Sequence, residues 1–167
     1  NKLITDVWTS NMKLRSQLSN SERDTLINKK IIKIFRRAKF LVIELESLWF
    51  LIHFGMTGRI FVSNTEKTIF LSSNKHIHLS FKAGSNYIYF QDIRRFGALH
   101  LLEKTKLNDD LDLLIPFKLG IEPLSEEFNT EFLHLKSRNI NQPVKPWLMS
   151  GYPIAGVGNI YASEALF

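Results

Sequence analysis

The sequence predicts an α+β protein: an antiparallel β-rich N-terminal region followed by a set of short helices. Short apolar, β-branched and aromatic runs recur at close spacing between Lys29 and Gln91, the signature of a small all-β unit. Turn residues separate them, Ala83-Gly84-Ser85-Asn86 most clearly. After about Phe117 the pattern changes to stretches that begin with capping residues and carry apolar positions at helical spacing.

Taken in order, Ser19 to Asn28 is polar and helix-compatible, and Ser21 with Asp24 three residues on has the form of a capping box. Lys29–Lys33 leads into Phe40–Leu45, and Ser47–His53 follows a break at Glu46-Ser47, which predicts a hairpin. Further strands are expected at Arg59–Ser63, Lys67–Ser72, His76–Phe81 and Asn86–Gln91. Strands at this spacing suit a sandwich or a barrel. Ser125 can cap a helix through Phe128, Phe132 and Lys136, with acids leading and bases trailing. Gln142-Pro143 opens a second helix carrying Trp147, Leu148 and Met149, with Pro143 in the first turn. Gly156 and Gly158 precede a third helical pattern, Asn159–Phe167. The layout has no internal repeat and no low-complexity tract.

The 167 residues suffice for one core of ordinary size, or one domain and part of another. The composition, 44% hydrophobic and 23% charged, is that of a globular protein, and the 13 Phe point to aromatic-rich strands or helix faces. Lys and Arg exceed Asp and Glu by 22 to 16, a net charge of +6 that favours a polyanionic partner. The absence of Cys excludes a disulfide scaffold or thiolate zinc site within these residues. No apolar run reaches the roughly 20 residues that span a bilayer. With no signal segment at the start, the reading is a cytoplasmic protein without a membrane partner.

Five stretches carry possible chemistry. Arg36-Arg37-Ala38-Lys39 places cations at a strand mouth, where they neutralise phosphates or form solvated surface. His53-Phe54-Gly55-Met56-Thr57-Gly58 brackets Met56 in a tight loop. An exposed Met there is a wedge for a base stack; the plainer alternative is a core Met beside a turn. In Asp92-Ile93-Arg94-Arg95-Phe96-Gly97, Arg94 can enter the space of a displaced base and Phe96 can stack on its neighbour. The plainer alternative is a strand end with an Arg–Asp surface pair. His76 and His78 fall at i and i+2 on one predicted strand face. Without Cys or an intervening acid, a phosphate contact or plain surface strand suits them better than a metal. Gly156-Val157-Gly158-Asn159 opens a helix whose unpaired N–H groups form an anion site, with Asn159 as a side-chain donor and Lys145 in reach.

These pieces occur together and in order. With Leu119-Gly120-Ile121-Glu122-Pro123-Leu124 and the run from Lys145-Pro146-Trp147-Leu148-Met149 to Gly156–Glu164, the sequence resembles the formamidopyrimidine-DNA glycosylases. That family excises 8-oxoguanine and ring-opened purines and then cleaves the abasic strand. The resemblance implies a β-sandwich domain over 1–118 and a truncated helix–two-turn–helix domain over 119–167. It makes Met56, Arg94 and Phe96 the trio that fills the site of the flipped base. It gives Lys39 and His76 phosphate contacts, with Lys145 and Asn159 holding the phosphates that flank the lesion. The implied partner is damaged double-stranded DNA, bound by a monomer associated with the bacterial nucleoid.

The departures matter equally. Family members begin with a nucleophilic Pro followed by a proton-transferring Glu; Asn1 does not match that Pro. Lys39 is the nearest supporting residue, so the chain itself is expected to have no catalytic residue and no glycosylase or lyase activity. The family's four-Cys zinc finger has no counterpart, so no cofactor is expected here and one zinc ion is expected in the full-length protein. Ser150 stands where relatives usually carry Asp. Competing readings are an endonuclease VIII-type enzyme for oxidised pyrimidines, a catalytically dead DNA-binding relic, and a basic RNA-binding domain. Arg94, Phe96 and the Gly156–Ala162 block favour the purine enzyme. A helical region ending at Phe167 is expected to expose apolar surface and to aggregate or be partly disordered near that end.

Overall fold

The computed structural model describes residues 2–104 and 118–167; Asn1 and the change of pattern at Phe117 lie outside them. The chain forms two compact units. The first holds the N-terminal part to Phe35 and continues from Phe40. The second joins Arg36–Lys39 to the C-terminal part.

Among the described residues, eight strands form two four-stranded sheets. These are β1 (Ile4–Thr9), β2 (Ile31–Arg37), β3 (Phe40–Leu45), β4 (Leu48–His53), β5 (Arg59–Ser63), β6 (Ile77–Ala83), β7 (Asn86–Gln91) and β8 (Ala98–Glu103). The sheet orders are β1-β6-β7-β5 and β2-β3-β4-β8. The expected β3–β4 hairpin forms with Phe40 opposite His53 and Glu44 opposite Trp49. The β6–β7 hairpin closes through Gly84-Ser85, Ala83 facing Asn86. Gly84 there has φ +65°, which suits glycine at the first position of a two-residue hairpin turn. Alternating residues of both sheets make one core, including Ile4, Val7, Leu79, Phe81 and Phe90 from the first and Ile43, Leu45, Phe50 and Ile52 from the second. Leu48–Ile52 is buried throughout, as a central strand covered on both faces must be.

Several expectations are corrected. Strands β1 and β8 add to those the sequence predicts, and β2 runs to Arg37 rather than ending at Lys33. Lys67–Ser73 is a helix (α2), not a strand. The short run Ile69-Phe70-Leu71 fits either period, and tertiary contacts decide. Phe70 stacks on Tyr89 with centroids 3.9 Å apart, and Lys67 pairs with Asp6. Helix α1 (Asn20–Thr25) is capped by Ser19, not Ser21, in a full capping box with Glu22.

In the second unit, helix α3 (Thr130–Ser137) starts at Asn129, whose side chain accepts the Phe132 N–H at 2.9 Å. Ser125 instead ends a turn, donating to Glu122 O. Helices α4 (Val144–Met149) and α5 (Asn159–Leu166) follow, the first with Pro143 at its N-cap. Trp147, Leu148 and Ile154 form the small core, with Phe128, Leu133 and Val157 against it. Gly120 lies so close to the 152–153 backbone that a Cβ would sit 2.4 Å from Pro153 C. That approach permits the Ile121–Ile154 bridge. Ser150 secures its helix end without the Asp of relatives: its hydroxyl donates to Trp147 O at 2.7 Å and accepts Tyr152 N–H. Ile160 and Tyr161 are both exposed on α5.

Candidate nucleic-acid interface

The loop Gly55–Gly58 leaves β4 and the segment Ile93–Gly97 leaves β7, and they meet backbone to backbone. Gly55 has φ +61°, and a Cβ on it would lie 2.6 Å from Phe96 C and 2.7 Å from Gly97 N. Only glycine satisfies both the left-handed conformation and the approach. Met56 is 69% exposed and Phe96 38%, and Arg94 is exposed as well. The Arg94 guanidinium sits 4.8 Å from the centre of the Phe96 ring, within cation–π range. Met56 is therefore not a core residue, and the trio's side chains lie on two abutting loops.

Beneath them lies a buried polar group the sequence reading misplaced. Asp92 is fully buried rather than half of a surface Arg–Asp pair. Its Oδ2 accepts the Gly97 N–H at 2.7 Å, and its Oδ1 accepts the Thr57 hydroxyl. Thr57 Oγ1 in turn accepts the Arg94 N–H at 3.2 Å. The Asp92 main-chain oxygen can only accept, so the His78 Nε2 that lies 2.9 Å away carries the proton. His78 Nδ1 meets Ser10 Oγ at 3.1 Å. Burial holds the His78 imidazole below its ordinary pKa, against the opposing pull of the Asp92 carbonyl and carboxylate.

The paired-histidine strand face does not exist. His78 is inside, whereas His76 is exposed in the turn before β6 with φ +64°. That left-handed residue breaks the alternation. Its carbonyl accepts the Asp92 N–H at 3.0 Å. Among the described residues no group of three or more His, Asp or Glu is placed to hold a metal ion.

In the second unit, Lys39, Lys145 and Asn159 converge on the start of α5. Lys39 Nζ donates to Val157 O at 3.1 Å and lies 3.2 Å from where a Cβ would stand on Gly158. Lys145 Nζ donates to Ser163 Oγ at 2.8 Å, and that hydroxyl donates to Asn159 O. Gly158 supplies no side-chain cap, so the first N–H groups of the helix stay open to an anion. The Lys39 ammonium at the positive end of the helix dipole is unfavourably placed, and a bound phosphate would offset both charges.

The other two cations of the cluster are engaged differently. Arg36 and Arg37 pair with Glu122 at 2.6 and 3.0 Å, and Glu122 also accepts the Ala38 N–H at 2.6 Å. Burial pushes the Glu122 carboxyl up, but these three donors outweigh it and hold it below its ordinary value. Sequence reasoning gave Thr57 and Glu122 no role and offered Asp92 only as half of a surface pair. Their only signal was a polar residue inside each motif beside the residue of interest.

Fold and site define an α+β protein joining a two-sheet unit to a helix–two-turn–helix unit. Residues 1–99 match the family model for the formamidopyrimidine-DNA glycosylase N-terminal domain, and residues 119–167 the H2TH domain of the same enzymes. The chain belongs to the formamidopyrimidine-DNA glycosylase family. It is 40% identical over 157 residues to the formamidopyrimidine-DNA glycosylase of Proteus mirabilis, covering 94% of this chain and 54% of that one. Two crystal structures of the Lactococcus lactis enzyme are similar over 99% of this chain. One, bound non-covalently to DNA with an abasic site, has TM-score 0.80 at 27% identity with 61% of its own chain covered. The other, with DNA containing Fapy-dG, has TM-score 0.81 at 26% identity with 60% covered. The chain spans about half the length of the curated relatives it matches. No described helix is long and apolar enough to cross a membrane.

Proposed function

We propose that this chain is the DNA-gripping portion of a base-excision glycosylase and abasic-site lyase for oxidised purines. The observation that carries the proposal is the exposed trio Met56, Arg94 and Phe96 on two abutting loops. Met56 enters the base stack, Arg94 hydrogen-bonds the base left without its partner, and Phe96 stacks on the neighbouring base. Lys39, Lys145 and Asn159 hold the phosphates beside the lesion at the start of α5, and exposed His76 contacts another. The relatives' names and the Fapy-dG complex support purine lesions over the oxidised pyrimidines of endonuclease VIII-type enzymes.

The two domains divide near Lys118. The nucleophilic Pro and its Glu belong to the whole protein, as does the zinc ion, for which this Cys-free chain offers no ligand set. No residue described here performs the chemical steps, and the chain alone is not expected to cleave. The whole protein acts as a monomer on DNA in the bacterial nucleoid.

Binding by the chain to duplexes with and without an abasic-site analogue tests the reading. Preference for the damaged duplex is expected, and Met56→Ala, Arg94→Ala and Phe96→Ala each reduce it. Equal affinity for damaged duplex, intact duplex and single-stranded RNA would overturn the assignment in favour of a generic basic domain.

A further inference from the structure

We infer that Thr57 is a positioning residue for DNA recognition, its hydroxyl coupling the Met56 loop to the Arg94–Phe96 loop so that both meet a damaged duplex as one unit. The inference rests on the DNA reading above but goes beyond it, since that reading requires exposed side chains and says nothing of what holds them in register. A hydroxyl has one hydrogen, and Thr57 commits it to Asp92 Oδ1. The lone pairs left over accept the Arg94 N–H at 3.2 Å. One side chain on the first loop thus fixes the main chain of the second at the residue that carries the guanidinium.

The anchor has a buried end at Asp92 and a half-buried one at Thr57. Asp92 is fully buried, and among the described residues its carboxylate has no ion-pair partner. It depends on the Thr57 hydroxyl and the Gly97 N–H for its hydrogen bonds. Loss of either bond leaves a buried charge short of a donor. Valine would keep the shape of Thr57, so packing alone does not call for a hydroxyl. Unstacking a duplex costs a few kcal/mol. Loops already held in the bound arrangement spend less of the binding energy on ordering.

The test compares the chain with Thr57→Val and Thr57→Ser, by fluorescence anisotropy on a duplex with a tetrahydrofuran abasic analogue and on its intact counterpart. Thr57→Val is expected to lower the preference for the abasic duplex roughly tenfold, while affinity for intact duplex, set by phosphate contacts, stays within about twofold. Thr57→Ser retains the parent preference. Parent-like preference in Thr57→Val, or equal loss in Thr57→Ser, would overturn the coupling and leave the DNA reading standing. A parent chain with no preference sinks both. Amide exchange at Arg94 in the unmodified chain keeps the test independent of how the variants fold. Slowed exchange is expected, and exchange at the rate of an unbonded loop amide contradicts the inference.

Discussion

The two regions proposed to meet DNA are held by opposite kinds of polar chemistry. In the two-sheet unit, one buried carboxylate with uncharged donors fixes the Met56 and Arg94–Phe96 loops. In the helical unit, the Arg36–Lys39 turn is fixed by Glu122 through two guanidinium groups, and Arg36 is 58% exposed on its side chain. The Asp92 carboxylate is fully buried, so its bonds are screened by salt less than those of an exposed pair. A partly exposed ion-pair cluster is weaker and screened. The loops that carry Met56, Arg94 and Phe96 have the first kind of support, and the Arg36–Lys39 turn has the second.

Removing the buried anchor gives the largest effect. Asp92→Ala strips the Thr57 hydroxyl and the Gly97 N–H of their acceptor and is expected to destabilise by about 2–3 kcal/mol, read from chemical denaturation. A loss under half that size would show that water takes over the anchor.

Acid separates the two regions next. Burial lowers the pKa of both His78 and His100 below 6.5. The unfolded chain therefore binds these protons more readily. The stability gained by keeping both rings neutral is full above that value and is lost as pH falls towards their folded values. Glu122 is lowered from 4.5, so its contribution is present above that value and lost as pH falls through its folded one. Peptide-level hydrogen exchange should show the sheet unit loosening at mildly acid pH, before the Arg36–Glu122 cluster does. The reverse order would break the comparison. At neutral pH, Glu122→Gln is expected to cost about 1 kcal/mol in low salt and less in 1 M salt, whereas the Asp92 effect depends less on salt.

The smallest effect on stability belongs to Met56. Met56→Ala should move the melting free energy by no more than about 0.5 kcal/mol, because the side chain is 69% exposed. A large loss would make it structural after all.

Much of this was legible in the sequence because the motifs are local. Gly55 and Gly58 announce a tight loop, the Phe40–His53 hairpin follows from its apolar runs, and Gly158-Asn159 marks a helix start. What escaped depends on pairing across the fold. Thr57 meets Asp92 across 35 residues and Arg37 meets Glu122 across 85, and no local pattern encodes either. The His76/His78 reading failed because one left-handed residue cancels the alternation on which it stood. The Lys67–Ser72 strand reading failed because the stacking of Phe70 on Tyr89, not strand propensity, chose the conformation.

The most direct test of the account places 2-aminopurine opposite an abasic site and follows its fluorescence on addition of the chain. A marked change is expected with the parent, as the side chains displace or stack on the orphaned base, diminished by Met56→Ala and by Arg94→Ala. A signal that is unchanged on binding, or identical in parent and variants, would contradict it.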